Sequence, residues 1–144
     1  MGSSSQILSI KLALHSLFTC EFPSDPCPWE GSLCKWLTHY AEGRLSPVPE
    51  DLCLKALSSF QKETLLQMAK IPFGQTKSYG ELATLIGSPK GARAIGRACH
   101  TNPFPLFFPC HRVVGHGGAL GGFAAGVEIK RKLLEFEGGR FLPQ

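Results

Sequence analysis

No stretch of the 144-residue sequence approaches the roughly 18 consecutive apolar residues of a membrane-spanning helix, so no such helix is expected in it. Residues 1–6 are polar and uncharged, without the basic stretch and apolar run of a secretory signal. The expected location is therefore inside the cell, in the cytoplasm or, in a eukaryote, the nucleus. There is no internal repeat and no low-complexity tract, which sets aside solenoids and fibrous chains. The six cysteines (Cys20, Cys27, Cys34, Cys53, Cys99, Cys110) include no CxxC pair. Without a secretory signal, reduced structural thiols are expected instead of disulfides. A zinc site from Cys20, Cys27 and Cys34 with His15 or His39 is poorly supported by their spacing, and no metal is expected.

What is present is enough apolar material for a core: 43% of residues are hydrophobic, so wholesale disorder is excluded. The net charge of +4 is unevenly spread. Residues 1–54 hold three basic residues (Lys11, Lys35, Arg44) against six acidic ones, and 55–144 hold twelve against five. A basic excess on one part suits a polyanionic partner such as nucleic acid, or a solvated surface.

The segment 45–50, with Pro47 and Pro49, is a linker candidate. Before it, 7–20 reads as one or two strands and 31–40 as a helix. After it, Leu57, Phe60, Thr64, Leu65 and Met68 recur at helical spacing, which predicts an amphipathic helix over 51–69. Ser78 and Glu81 form a capping box that opens a short helix, with Leu82, Leu85 and Ile86 as its buried side and Gly87 as its stop. Ser88 and Pro89 are then placed to start a second helix running to about His100. Ala92, Ile95 and Cys99 form one face of it, and Arg93, Gly96, Arg97 and His100 the other. Two short helices joined by a tight turn, the second with a basic face, match a helix-turn-helix. The prolines of 102–109 rule out a helix and a central strand, so an extended, rigid, apolar segment is expected to present Cys110. The last helix is expected over Val127–Glu137, with Ile129, Leu133 and Phe136 on one face and Gly138 as stop.

Cys110 is flanked by His111 and Arg112. A thiol reacts as thiolate, which nearby cations or a histidine base promote. Glu137 sits at a helix C-terminus, where the macrodipole disfavours a carboxylate by some tenths of a kcal/mol. Orienting a histidine would give it a reason to be there. A metal site from Cys110, His111 and His116 is disfavoured, because adjacent ligands on rigid backbone converge poorly on one ion.

The run Pro109-Cys110-His111-Arg112-Val113-Val114 resembles the active-site signature of the O6-alkylguanine-DNA alkyltransferases. Phe73-Gly74-Gln75-Thr76-Lys77-Ser78-Tyr79-Gly80-Glu81-Leu82-Ala83 is similar to that family's first helix-turn-helix element, and Ala92-Arg93-Ala94-Ile95-Gly96 to its recognition helix. Asn102-Pro103, the loop 121–126, Lys130 and Glu137-Gly138 follow at the family's spacing, so the resemblance covers roughly 57–144. It implies a DNA repair protein that transfers the alkyl group of O6-alkylguanine, with O4-alkylthymine a further candidate, to Cys110 in a single turnover. It implies His111 as base through a water, Glu137 as its orienting partner, and Asn102 as the hinge of the active-site segment. Tyr79 is implied to turn the target phosphate and donate a hydrogen bond to guanine, and Arg93 to fill the space of the flipped base. Ser88, Ala94, Gly96 and Arg97 would meet DNA; Val113, Val114, Phe123, Ala124 and Lys130 would line the pocket. The partner implied is double-stranded DNA, read in the minor groove by a monomer with no cofactor. Here Phe123 lacks the common tyrosine hydroxyl, Ala124 lacks the hydroxyl some members offer, and Ala125 stands where glycine is frequent, implying a tighter pocket.

The expected fold class is α/β: a short N-terminal region with strands (1–50) and a mainly helical C-terminal domain with the helix-turn-helix (51–144). Two other functions compete. A non-catalytic lesion-binding relative would lack the reactive cysteine that this chain has. An unrelated cysteine hydrolase using Cys110, His111 and Glu137 would need an oxyanion hole that the sequence does not display.

Overall fold

The computed structural model describes residues 30–44, 46–48 and 54–142. The strands expected over 7–20, and Cys20, Cys27, Cys53 and His15, lie outside them. Contacts divide the chain into two compact units, with the boundary in sequence between Pro47 and Val48. In the first, α1 is Glu30–Ala41. Trp36 and Tyr40, four residues apart, stack on one side of it at 5.6 Å.

The second unit is mixed α/β and mainly helical. Its elements are α2 (Ser59–Ala69), β1 (Lys77–Ser78), α3 (Tyr79–Leu85), α4 (Ala92–His100), a 3₁₀ turn at Cys110–Arg112, β2 (Val113–Val114), a second 3₁₀ turn at His116–Gly118, and α5 (Val127–Glu137). β1 and β2 pair in parallel, Lys77 with Val113 and Ser78 with Val114. This short ladder ties the entrance of the helix-turn-helix to the segment that follows Cys110. Helices α2, α3 and α4 pack on one another. Leu65, Met68, Leu82 and Ile95 are fully buried, each stabilising by roughly 1.5–3 kcal/mol relative to exposure.

Four expectations need correction. Helix α2 starts at Ser59, not 51, because Ser58 accepts the Gln61 N–H and caps it; Leu57 lies before the helix. Leu85 is 54% exposed. At about 100° per residue it lies far round α3 from the centre of the Leu82, Ala83 and Ile86 side. Ser88 and Pro89 do not start α4, whose first residue is Ala92. The Ser88 N–H is bound by the Ala83 carbonyl and the Gly87 N–H by that of Thr84, a Schellman stop for α3. The Ser88 carbonyl then accepts from Gly91 at 2.7 Å. Pro89 therefore occupies the second position of a four-residue turn, where its fixed φ also fits. The capping box itself is present in full: Ser78 Oγ accepts from Glu81 N–H, and Glu81 Oε2 accepts from Ser78 N–H.

Finally, the segment before Cys110 is rigid but not extended. Asn102 closes it into a loop. Its Oδ1 accepts from Phe104 N–H at 3.0 Å and its Nδ2 donates to the Phe108 carbonyl at 2.8 Å. Between them Leu106 holds φ 72°, a left-handed conformation costing a leucine about 1–2 kcal/mol, with its side chain buried. Pro109 (φ −76°, ψ 70°) makes an inverse γ-turn, with Cys110 N–H on the Phe108 carbonyl at 2.8 Å.

Candidate active site

Helix α5 carries two buried charged residues of the site. Its buried residues are Lys130, Leu133, Leu134 and Glu137, spaced i, i+3, i+4, i+7, so one stripe bears a charge at each end. Ile129 and Phe136, expected on the buried face, are only half-buried. Both charges are satisfied. Lys130 Nζ donates to the Val113 carbonyl at 2.6 Å and lies 5.8 Å from the centre of the Tyr79 ring. Burial lowers its pKa to about 8, against the pull of the Cys99 and Cys110 thiols.

Glu137 is the more heavily bonded. Oε1 accepts from His111 Nε2 at 2.7 Å and from Arg112 Nη2 at 2.9 Å; Oε2 accepts from Arg112 Nε at 2.8 Å and from Gly74 N–H at 3.2 Å. Burial pushes this carboxyl up, but His111 and Arg112 outweigh it and hold it well below the usual carboxylate range. Glu137 is thus ionised at neutral pH. Fully buried His111 is held below its ordinary pKa by desolvation, with Glu137 opposing, and is neutral. In the tautomer that Glu137 selects, Nε2 carries the proton and Nδ1 is a lone pair; Nδ1 has no hydrogen-bond partner within the protein.

Arg112 faces away from the thiol. Besides its two bonds to Glu137 it donates from Nη1 to the Ile71 carbonyl at 2.6 Å. In a 3₁₀ turn successive residues diverge by about 120°, so Cys110, His111 and Arg112 point three ways. The expectation that Arg112 promotes the thiolate is therefore corrected. The cation acting on Cys110 is Lys130. Burial pushes the Cys110 thiol up; the Asn102 side chain, Lys130 and the N–H groups of Cys110 and His111 pull it back.

Cys110 opens onto a cavity of about 290 Å³ lined by Tyr79, Gly96, Cys99, His100, Gly122, Phe123 and Ala124. That is at the low end for ligand pockets, which run roughly 300–1,000 Å³, and suits one flat ring system. A Cβ on Gly96 would meet only Tyr79 Cε1, at 3.9 Å. The glycine therefore leaves room beside the cavity and is not forced by helix packing. Burial raises the Tyr79 hydroxyl to about 12, so it stays protonated and can donate. Arg93, Ala94 and Arg97 are exposed on α4, and Ser88 is half-buried in the turn before it. Of the five residues expected to line the pocket, Phe123 and Ala124 do; Val113, Val114 and Lys130 are buried and do not line the cavity.

Sequence reasoning missed Gly74, Cys99, His100 and Gly122. Gly74 could have been flagged only as a glycine closing the α2 turn. It has φ +76°, and a Cβ there would stand 2.7 Å from the Glu137 carbonyl oxygen. Gly74→Ala is expected to cost at least about 2 kcal/mol, from left-handed strain plus a backbone collision. Urea denaturation checks it; a midpoint unchanged from the parent would show that the contact relaxes freely.

The fold and site define a helix-turn-helix domain built round a buried cysteine with a histidine–glutamate pair behind it. Residues 59–139 match the DNA-binding domain of 6-O-methylguanine DNA methyltransferase. The methylated-DNA–protein-cysteine methyltransferase of Methanosarcina acetivorans is 47% identical over 81 residues, which is 56% of this chain and 52% of the relative. That of Mycobacterium bovis is 40% identical over 116 residues, 81% of this chain and 69% of the relative. A crystal structure of Mycobacterium tuberculosis OGT in complex with DNA superposes with a TM-score of 0.69 at 40% identity, covering 75% of this chain and 66% of that one. The chain belongs to the O6-alkylguanine-DNA alkyltransferase family. It spans about half the length of the archaeal relative and about two thirds of the mycobacterial ones.

Proposed function

We propose that this chain removes the alkyl group from O6-alkylguanine in double-stranded DNA and retains it on Cys110, once per molecule. The observation that carries the reading is the buried Cys110 at the foot of a base-sized cavity, with neutral His111 bonded to ionised Glu137 behind it. His111 Nδ1 takes the thiol proton through a water, and Glu137 steadies the resulting imidazolium. The thiolate attacks the alkyl carbon in line, the carbon–oxygen bond breaks, and the electron pair leaves with guanine, which receives a hydrogen bond from Tyr79. The product is a thioether, stable enough that no turnover follows. The donor is the DNA, so the transfer asks for no cofactor.

O6 of guanine is buried in the stack, and reaching it requires flipping the nucleotide, at a few kcal/mol. Helix α4 of the 51–144 domain is suited to the minor groove: Ala94 and Gly96 permit close approach, Arg93 enters the vacated space, and Arg97 and Ser88 meet the backbone. Phe123 and Ala124 close on the base, with Lys130, Val113 and Val114 supporting that wall. Asn102 fixes the acceptor loop to the end of α4. The protein acts as a monomer, on intracellular DNA.

Intact-mass spectrometry after mixing with excess duplex carrying one O6-methylguanine tests this, with Cys110→Ala as control. One methyl group on Cys110, and none on the variant, is the expected result. Lesion binding without a mass change would favour a non-catalytic binder, and repeated turnover would favour a hydrolase.

A further inference from the structure

The cavity holds two thiols. Cys99 comes from α4 and Cys110 from the 3₁₀ turn, and both are free, buried and on the cavity wall. The chain between them is folded back by the Asn102 bonds and the left-handed Leu106. Lys130 acts electrostatically on both, favouring each as thiolate. The Cys99 thiol meets a thioether, Met68 Sδ, at 3.6 Å, and burial raises it to about 12. The Cys99 thiol is hydrogen-bonded to Met68 Sδ and lacks the His111–Glu137 pair that serves Cys110, so it is the poorer alkyl acceptor. It nonetheless shares the cavity wall with Cys110 and feels its charge, so an electrophilic sulfur on Cys110 would form within the same small space.

We propose that Cys99 is the resolving thiol of this pocket: under peroxide, Cys110 and Cys99 form an internal disulfide that closes the alkyl-acceptor site reversibly. A cavity of about 290 Å³ admits hydrogen peroxide, since a water occupies roughly 30 Å³. The Cys110 thiolate attacks one peroxide oxygen, the O–O bond breaks, and hydroxide leaves, giving a sulfenic acid. The minor thiolate form of Cys99, which Lys130 favours, then attacks Cys110 sulfur; the S–O bond breaks, and the departing hydroxide takes up the proton released from Cys99 as water. Two thiols lose two electrons in all, and one peroxide becomes two waters. Without a resolving thiol the sulfenic acid proceeds to sulfinic acid, which reductants do not reverse. The chemistry stands apart from the proposed transfer, and only its consequence, reversible loss of alkyl acceptance, rests on that reading.

Trypsin offers a direct test. No lysine or arginine lies between Arg97 and Arg112, so residues 98–112 leave as one peptide holding both cysteines. The full-length protein is treated with hydrogen peroxide, blocked with iodoacetamide and digested. The expected peptide is lighter than the reduced one by two hydrogen atoms, carries no block, and takes two after dithiothreitol. A peptide with oxygen added on Cys110 and Cys99 still blocked, an unreacted peptide, or Cys110 joined to a cysteine elsewhere would each overturn the proposal. In parallel, methyl transfer after peroxide and then dithiothreitol is scored against each protein's own untreated value. The parent is expected to recover it and Cys99→Ser to lose it; equal recovery counts against Cys99. Failure of untreated protein to accept a methyl group would sink the transferase reading and leave the peptide result standing.

Discussion

Glu137→Gln is expected to lower the unfolding free energy by about 3–5 kcal/mol, the usual cost of removing one partner from a buried ion pair. The substitution keeps the side chain's shape, so no cavity term enters. It removes the charge that balances buried Arg112, and it offers an NH₂ where two donors, Arg112 and either His111 or Gly74, now meet an oxygen. For a chain of this size that corresponds to a fall in Tm of about 10 °C or more. A Tm within about 2 °C of the parent, by calorimetry, would mean that the network contributes little.

The pH dependence follows from the same groups. The folded-state pKa of Glu137 is depressed, so the stability it contributes is present above the ordinary carboxylate value of 4.5 and is lost as pH falls through the lowered one. His111 is also depressed; the unfolded chain takes up its proton first, and stability declines as pH falls below 6.5. Both act in the same direction. The parent should lose stability on acidification in two stages, and Glu137→Gln should lack the later one.

Much of this site was legible because it obeys local rules. The Ser78–Glu81 capping box, the stops at Gly87 and Gly138 and the bounds of α5 each depend on residues within one helical turn. Glu137 drew attention because a carboxylate at a helix C-terminus is electrostatically misplaced, and the structure supplies four donors to hold it there. What was not legible is non-local or locally ambiguous. Ser88-Pro89 fits a helix start and a four-residue turn equally well, and the Schellman bond from Ser88 N–H to Ala83 decides between them. Gly74 reaches Glu137 across 63 residues. Cys99 meets Met68 across 31 and shares a wall with Cys110 only because Asn102 folds the intervening loop. Neighbours in sequence misled once: Arg112 was credited to Cys110, although a 3₁₀ turn sends it to Glu137.

The second large effect is kinetic. With the Cys110 thiol held above its ordinary value of 9.0 by burial, thiolate is scarce at neutral pH, and the proton must be taken as attack proceeds. His111→Asn removes the acceptor while leaving a polar side chain. The methyl-transfer rate at pH 7.5 should fall by about 10²–10⁴, the range for loss of a positioned base. Binding to lesion-containing duplex should persist, because His111 is fully buried and Arg93 and Arg97, on the exposed face of α4, are untouched. The two proteins should also differ in pH profile. The variant depends on spontaneous ionisation, so its rate should climb about tenfold per pH unit toward the thiol's raised pKa. The parent, with neutral His111 available throughout, should change far less over the same range. Single-turnover rates from pH 6.5 to 9.5 distinguish the cases. Parallel profiles would mean that His111 serves only to hold the fold, and the proton would then have to leave Cys110 by another route.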